Sequence, residues 1–238
     1  MTTPGSHNDA FASSHHRHFW GNYAGGLFAD QCAESSEKVH DASDAFTFPI
    51  PVFISGIEAD NLNFDEVKKQ ALSVNGLFRK SPTLDTWIEH YLLLLDQVLT
   101  REKPLREAVL EAAKKISFDV ETSVQLANEK AGDIEDFSKY LGGDGTDPMA
   151  PCPPEKNFPA LLHFVLRYPD PVQALLASAN AGGDNVPRNA ALGALFGAEF
   201  GLSVFPESLR KGLYHGNEIE KEISDLLGET SSTTKAEL

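Results

Sequence analysis

Residues 81–99 read SPTLDTWIEHYLLLLDQVL. Ser81 followed by Pro82 is the pattern of an N-cap and a proline at the first helical position. There a side-chain oxygen takes up an orphan amide, and the missing proline N–H removes no helical bond. Behind this start Leu84, Trp87, Ile88, Tyr91, Leu92, Leu95, Val98 and Leu99 recur at three- and four-residue spacing. Leu93 and Leu94 widen the apolar face. A helix apolar over so much of its circumference belongs in the middle of a bundle.

Working outward, Asn63 with Glu66 three residues later forms a capping-box pattern ahead of Phe64, Val67, Ala71, Val74 and Phe78. On the other side, Leu105, Ala108, Val109, Ala112, Ala113 and Ile116 predict a third amphipathic helix behind Pro104. A weaker helical pattern covers residues 120–141 and breaks near Gly132. Further helices are predicted over 157–168 and 171–180, separated by Pro169-Asp170-Pro171, then over 188–201, 206–213 and 218–227. Only FTFPIPVFIS, residues 46–55, suggests a strand, and its two prolines argue against a central one. The expectation is an all-α fold in one domain over residues 46–227. Residues 1–45 are read as a polar, mobile N-terminal arm and residues 228–238 as a flexible tail.

The chain has 238 residues, 41% hydrophobic and 23% charged, which is enough for a sizeable core. A net charge of −15 disfavours nucleic acid and anionic lipid, both of which it would repel. Two cysteines, Cys32 and Cys152, are too few for a disulfide framework and predict a reducing, cytoplasmic setting. The first residues lack the apolar run of a signal peptide, and the longest apolar run, residues 91–95, is too short to span a bilayer. No Gly-x-Ser-x-Gly elbow, P-loop, Gly-x-Gly-x-x-Gly or His-Glu-x-x-His is present, which removes the common hydrolase, nucleotidase and metalloprotease readings.

The chemistry-bearing stretch is residues 179–201, ANAGGDNVPRNAALGALFGAEFG. Consecutive Gly182 and Gly183 permit positive φ and leave backbone amides open to a phosphate. Arg188, at the start of the following helix, could assist an anion there. Asp184 has two readings: a metal ligand, or a cap that accepts backbone N–H bonds from the next helix. Gly193, Gly197 and Gly201 with Ala190, Ala194 and Ala198 form a face bare of bulk. It suits either close approach of a nucleotide or tight packing against the helix near Leu92.

The order of these motifs resembles the ADP-ribosylglycohydrolase family, the DraG-like or crystallin-J1-like proteins. The resemblance is densest over residues 152–213, which hold a cysteine loop, the Phe158-Pro159 pair, an alanine-rich helix end, the GGD turn, the Gly/Ala helix and then Pro206 and Leu209. It implies an orthogonal helical bundle and a cleft with two Mg²⁺ ions. These are held by an early Thr-Asp-Asp and a late Gly-Asp-x-Asp-[Thr/Ser] motif and serve to cleave the bond joining ADP-ribose to a protein side chain or small molecule. On this resemblance Asp184 is the surviving metal ligand, while Gly182, Gly183, Asn185 and Arg188 contact substrate.

The chain departs from that pattern. The late motif's next ligand positions fall on Val186 and Pro187, which carry no side-chain oxygen. The early motif, matched to YAGGLFADQC at residues 23–32, falls on Gly26, Leu27 and Phe28. The family's early Gly-Asp-x-x-Gly segment has no counterpart. Help for Asp184 would come from Asp30, Asp44 or the GGDGTD stretch at residues 142–147, which otherwise reads as a solvated loop. His7, His15, His16 and His18 are a transition-metal cluster or a solvated one. His163, His90 and Trp87 read as packing or cleft-rim residues.

Three functional expectations stand. One is an ADP-ribosylglycohydrolase-like enzyme with impaired or lost catalysis, its Mg²⁺ doubtful. A second is a silent homologue that binds ADP-ribose, an ADP-ribosylated protein or another partner, or serves structurally as crystallin-like relatives do. A third is an incomplete product whose missing N-terminus carried the chemistry.

Overall fold

The computed structural model describes residues 12–35, 41–58, 62–129 and 152–227. Among them lie eleven α-helices, which make the fold all-α. They are α1 (Ser14–Ala24), α2 (Ile50–Glu58), α3 (Phe64–Gly76), α4 (Pro82–Leu99), α5 (Leu105–Lys115), α6 (Val120–Glu129), α7 (Pro154–Arg167), α8 (Pro171–Asn180), α9 (Asn185–Phe200), α10 (Glu207–Lys211) and α11 (Gly216–Leu226). A two-residue parallel ladder pairs β1 (Glu34–Ser35) with β2 (Arg79–Lys80).

Local chemistry sets the starts. Asn63 accepts from the Glu66 amide while the Glu66 side chain takes the Asn63 amide, closing the capping box of α3. Ser81 accepts from the Leu84 amide ahead of Pro82, and Asp170 accepts from the Gln173 amide ahead of α8. The Glu199 carboxylate reaches from α9 to the Leu105 amide at 3.2 Å, supplying α5 with the cap that Pro104 cannot.

The centre is shared by two helices. In α4, Leu84, Ile88, Tyr91, Leu92, Leu94, Leu95 and Val98 are buried. In α7 every residue from Asn157 to Leu166 is buried, although its periodicity is the less conspicuous of the two. α9 packs on α8, α4 and the turn at Ser43–Phe46. It buries Ala191, Leu192, Leu195 and Phe196, and the Tyr91 hydroxyl donates to the Ala191 carbonyl at 3.0 Å.

Three expectations change. Residues 46–55 form no strand: Phe46 ends a 3₁₀ turn (Ser43–Phe46) and residues 50–55 lie in α2. Pro49 and Pro51 sit just before and within the first turn, where absent amides remove no helical bonds, so they support a helix start. The small-residue face of α9 does not pack tightly, since a β-carbon added at Gly193 would meet nothing within 4 Å. The bulky stripe 188, 191, 192, 195 and 196 turns inward and leaves the glycines to one side. Finally, the expected arm contains α1, whose His15 is buried to 1% exposure. Phe19 packs on Phe78 (5.4 Å between ring centroids) and His16 on Phe78 and Phe48, which gives the helix a footing.

Candidate functional site

Gly182 and Gly183 lie at φ +76° and +61°, a left-handed pair that side chains with a β-carbon resist. Their neighbours hold the turn in this shape. Arg188, fully buried in the first turn of α9, donates from Nε to Ser178 Oγ and from Nη2 to the Ser178 carbonyl, both at 2.8 Å. Its Nη2 also donates to the Gly182 carbonyl at 2.9 Å, and the guanidinium lies over the Phe164 ring at 5.4 Å. Asn185 Nδ2 donates to the Ala179 carbonyl at 3.2 Å. Both polar residues expected at a substrate therefore tie the turn to the end of α8. Arg188 points inward because Ser178 and Gly182 present it with acceptors inside the bundle.

Asp184 occupies the N-cap position of α9 yet makes no side-chain capping bond. Its Oδ2 instead accepts a short hydrogen bond from Ser43 Oγ, 141 residues away in sequence. The capping expectation is corrected accordingly: Ser43 takes the carboxylate. The Asp184 backbone carbonyl accepts from Asn157 Nδ2 at 3.4 Å, and Asn157 Oδ1 is buried without a partner beside it. The Ser43 amide donates to the Cys152 carbonyl at 2.9 Å, and the Cys152 side chain also reaches Asp184. Burial pushes the Asp184 carboxyl above its usual range; the Asp44 charge adds to this, and the Ser43 hydrogen bond opposes it.

Asp44 has the opposite surroundings. Arg79, fully buried on β2, places Nη2 at 2.6 Å from Asp44 Oδ1. His15 places Nε2 at 3.1 Å from Asp44 Oδ2. Burial works to raise this carboxyl, but the His15 hydrogen bond and the Arg79 charge outweigh it and hold Asp44 below its usual range.

The other candidates disperse. Gly26, Leu27 and Phe28 are exposed in the loop after α1, and Asp30 is exposed in the 3₁₀ turn Ala29–Gln31. The dipeptide that meets Asp184 is Ser43-Asp44, within the stretch read as an arm. His15 and His16 are split between Asp44 and the Phe48–Phe78 cluster, and His18 is exposed. His163 is buried with Nδ1 at 2.8 Å from Ser123 Oγ, and burial presses its pKa down to about 3. Trp87 and His90 pack against Phe158 at 6.0 and 6.3 Å between ring centroids. His7 and residues 142–147 lie outside the described residues. Among the described residues no three His, Cys, Asp or Glu side chains are grouped to hold a metal. No described helix is long and apolar enough to cross a membrane.

Sequence reasoning missed Ser43, Arg79 and His15 as neighbours of the turn. The one local signal was the Ser-Asp pair at 43–44. Nothing local marks Arg79 or His15, because their partner is distant in the chain.

Neither the curated proteins nor the solved structures give a match. The family model described as ADP-ribosylglycohydrolase matches residues 70–236, which include α4, α7 and the whole Gly182–Arg188 turn. With well over half of its length matched, the chain belongs to the ADP-ribosylglycohydrolase family.

Proposed function

We propose that this chain is a non-hydrolysing member of its family, retaining an ADP-ribose-binding turn at Gly182–Gly183. The observation that carries this reading is the engagement of Asp44 by the Arg79 guanidinium and the His15 imidazole. Ser43 donates to Asp184 and Asp44 follows it, but the residue after Asp44 is a buried alanine that brings no second carboxylate. The late motif runs Asp184-Asn185-Val186-Pro187 and brings no second carboxylate.

Paired Mg²⁺ ions need several hard oxygen ligands in near-octahedral array. Here one carboxylate is bonded to a guanidinium and an imidazole, and the other accepts a serine hydroxyl. The residues present do not fit a binuclear site, so no catalytic step is assigned to one. What remains is a shaped turn: Arg188 and Asn185 fix it from inside, and backbone at Gly183 faces solvent. Backbone amides at a helix N-terminus suit a diphosphate, and that is the ligand class assigned to the turn.

The test is calorimetric titration of the whole chain with ADP-ribose, in Mg²⁺ and then in EDTA, beside an assay for ADP-ribose released from modified arginine or serine. Binding unchanged by EDTA with no release is expected. Mg²⁺-dependent turnover that Asp184→Ala abolishes would overturn the proposal. No binding in either buffer would leave the structural, crystallin-like reading.

A further inference from the structure

Among the described helices of eight or more residues, α11 alone buries none of its side chains. It is nevertheless amphipathic. Ile219, Ile223 and Leu226 recur at four- and three-residue spacing and form one stripe, left 37%, 51% and 44% exposed. The helix is held in place without being covered. At its start the Gly216 amide donates to the Leu213 carbonyl at 3.0 Å, and His215 pairs with Glu218. At its end Ser55 Oγ donates to the Leu226 carbonyl at 3.4 Å. A cavity of about 640 Å³ opens between α10 and α11, with Leu213 and Glu220 in its lining.

The charges around the stripe say what fits it. At about 100° per residue, Glu218 and Glu222 follow one edge and Glu220 the other, while Lys221, the single base of α11, turns to the opposite side. Among the described residues neither Glu220 nor Glu222 has an ion-pair partner. The bases of α10 are engaged close to home: Lys211 bridges to Glu207 at 2.5 Å, and Arg210 Nε donates to the Phe205 carbonyl at 3.2 Å. An apolar stripe with acidic edges is one half of a helix pairing whose other half has basic edges. A second copy would set glutamates against glutamates on a chain of net charge −15, and anionic lipid is repelled in the same way. We infer that the exposed face of α11 docks a basic amphipathic helix of a partner protein. That helix would lay aliphatic side chains on the stripe and carry lysine or arginine along both edges. At a rise of 1.5 Å per residue α11 offers about 16 Å of contact, or three turns. This inference does not depend on the reading of the Asp184 turn.

The experiment titrates the full chain into a fluorescently labelled peptide of about three heptads, with leucine at a and d and lysine at e and g. A counterpart with glutamate at e and g is run beside it. Saturable one-to-one binding of the lysine peptide is expected, weakened by added salt, with none of the glutamate peptide. Ile223→Glu should weaken it about tenfold or more, since one aliphatic contact of the stripe is lost. Glu218→Lys/Glu222→Lys should weaken it as well. Both changes are at exposed positions, and circular dichroism confirms that each variant folds. Glu107→Lys/Glu129→Lys makes an equal change of net charge on α5 and α6 and should leave binding as it was. Absence of binding overturns the inference, as does binding kept in Ile223→Glu or lowered equally by the 107/129 variant. A dimer in sedimentation, or binding to zwitterionic vesicles, that Ile223→Glu abolishes would give the face to another occupant and overturn it too.

Discussion

Asp44 and Asp184 are the same residue type, near enough that the charge of Asp44 raises the proton affinity of Asp184, yet the bundle drives the two in opposite directions. Asp44 meets a fully buried guanidinium and an imidazole, so its charge is favoured. Asp184 meets a neutral hydroxyl and a second carboxylate in a half-buried turn, so its charge is disfavoured. The difference shows why a surviving carboxylate is a poor guide to a surviving metal site. What the remaining neighbours supply decides whether the acid is free to bind anything.

The sharpest way to break this comparison is Arg79→Ala. It removes a fully buried cation and leaves Asp44, itself mostly buried, without its main partner. A loss of about 3–5 kcal/mol is expected in urea unfolding, the usual cost of breaking a buried pair from one side. A loss below about 1 kcal/mol would mean that the pair behaves like a surface bridge.

Next in size is Asp44→Asn, expected to cost about 2 kcal/mol at neutral pH by removing a charge-assisted hydrogen bond. The pH dependence follows from the lowered pKa. Stability from Asp44 is present above its unfolded value, near the 3.8 of a free aspartate, and is lost as pH falls through the lower folded value. The gap between wild type and variant should therefore close in acid, below about pH 4. A gap that stays constant down to pH 2 would contradict the assignment.

Ser43→Ala removes the hydroxyl that holds Asp184, for an expected loss of about 1 kcal/mol. The same change should raise the Asp184 carboxyl further, because that hydrogen bond favours its ionised form. Carbon-detected NMR titration of the aspartate carboxyl reads this directly.

The smallest effect is expected from Asp184→Asn, with the opposite pH sense. A raised folded pKa gives stability that is full below the unfolded value and lost as pH rises through the folded one. Wild type should thus lose ground to the variant on going from about pH 3 to pH 7. Denaturant midpoints across that interval test it, and a gap that moves the other way would reverse the roles of the two acids.

Much of the helical frame was legible because helix starts are local events. The Asn63–Glu66 box, the Ser81-Pro82 start and the Asp170 cap each need partners only three residues away. The site was legible in part. The glycine pair announced its positive φ, and the GGD turn lies within the matched family region. The role of Arg188 was not readable, because a basic residue after a glycine turn looks the same whether it faces solvent or the Ser178 and Gly182 oxygens.

The sequence by itself determined an all-α fold over the described residues, the position of the Gly182–Gly183 turn and the missing carboxylates at Val186 and Pro187. Those properties reside in single residues or in spacings of three and four. Only the tertiary structure decided that Ser43 takes Asp184, that Arg79 and His15 bind Asp44, and that residues 14–24 form a helix whose His15 is buried. Each of these joins elements far apart in the chain, and the energy that selects such contacts arises only when burial brings the charges together and removes the water that would otherwise screen them.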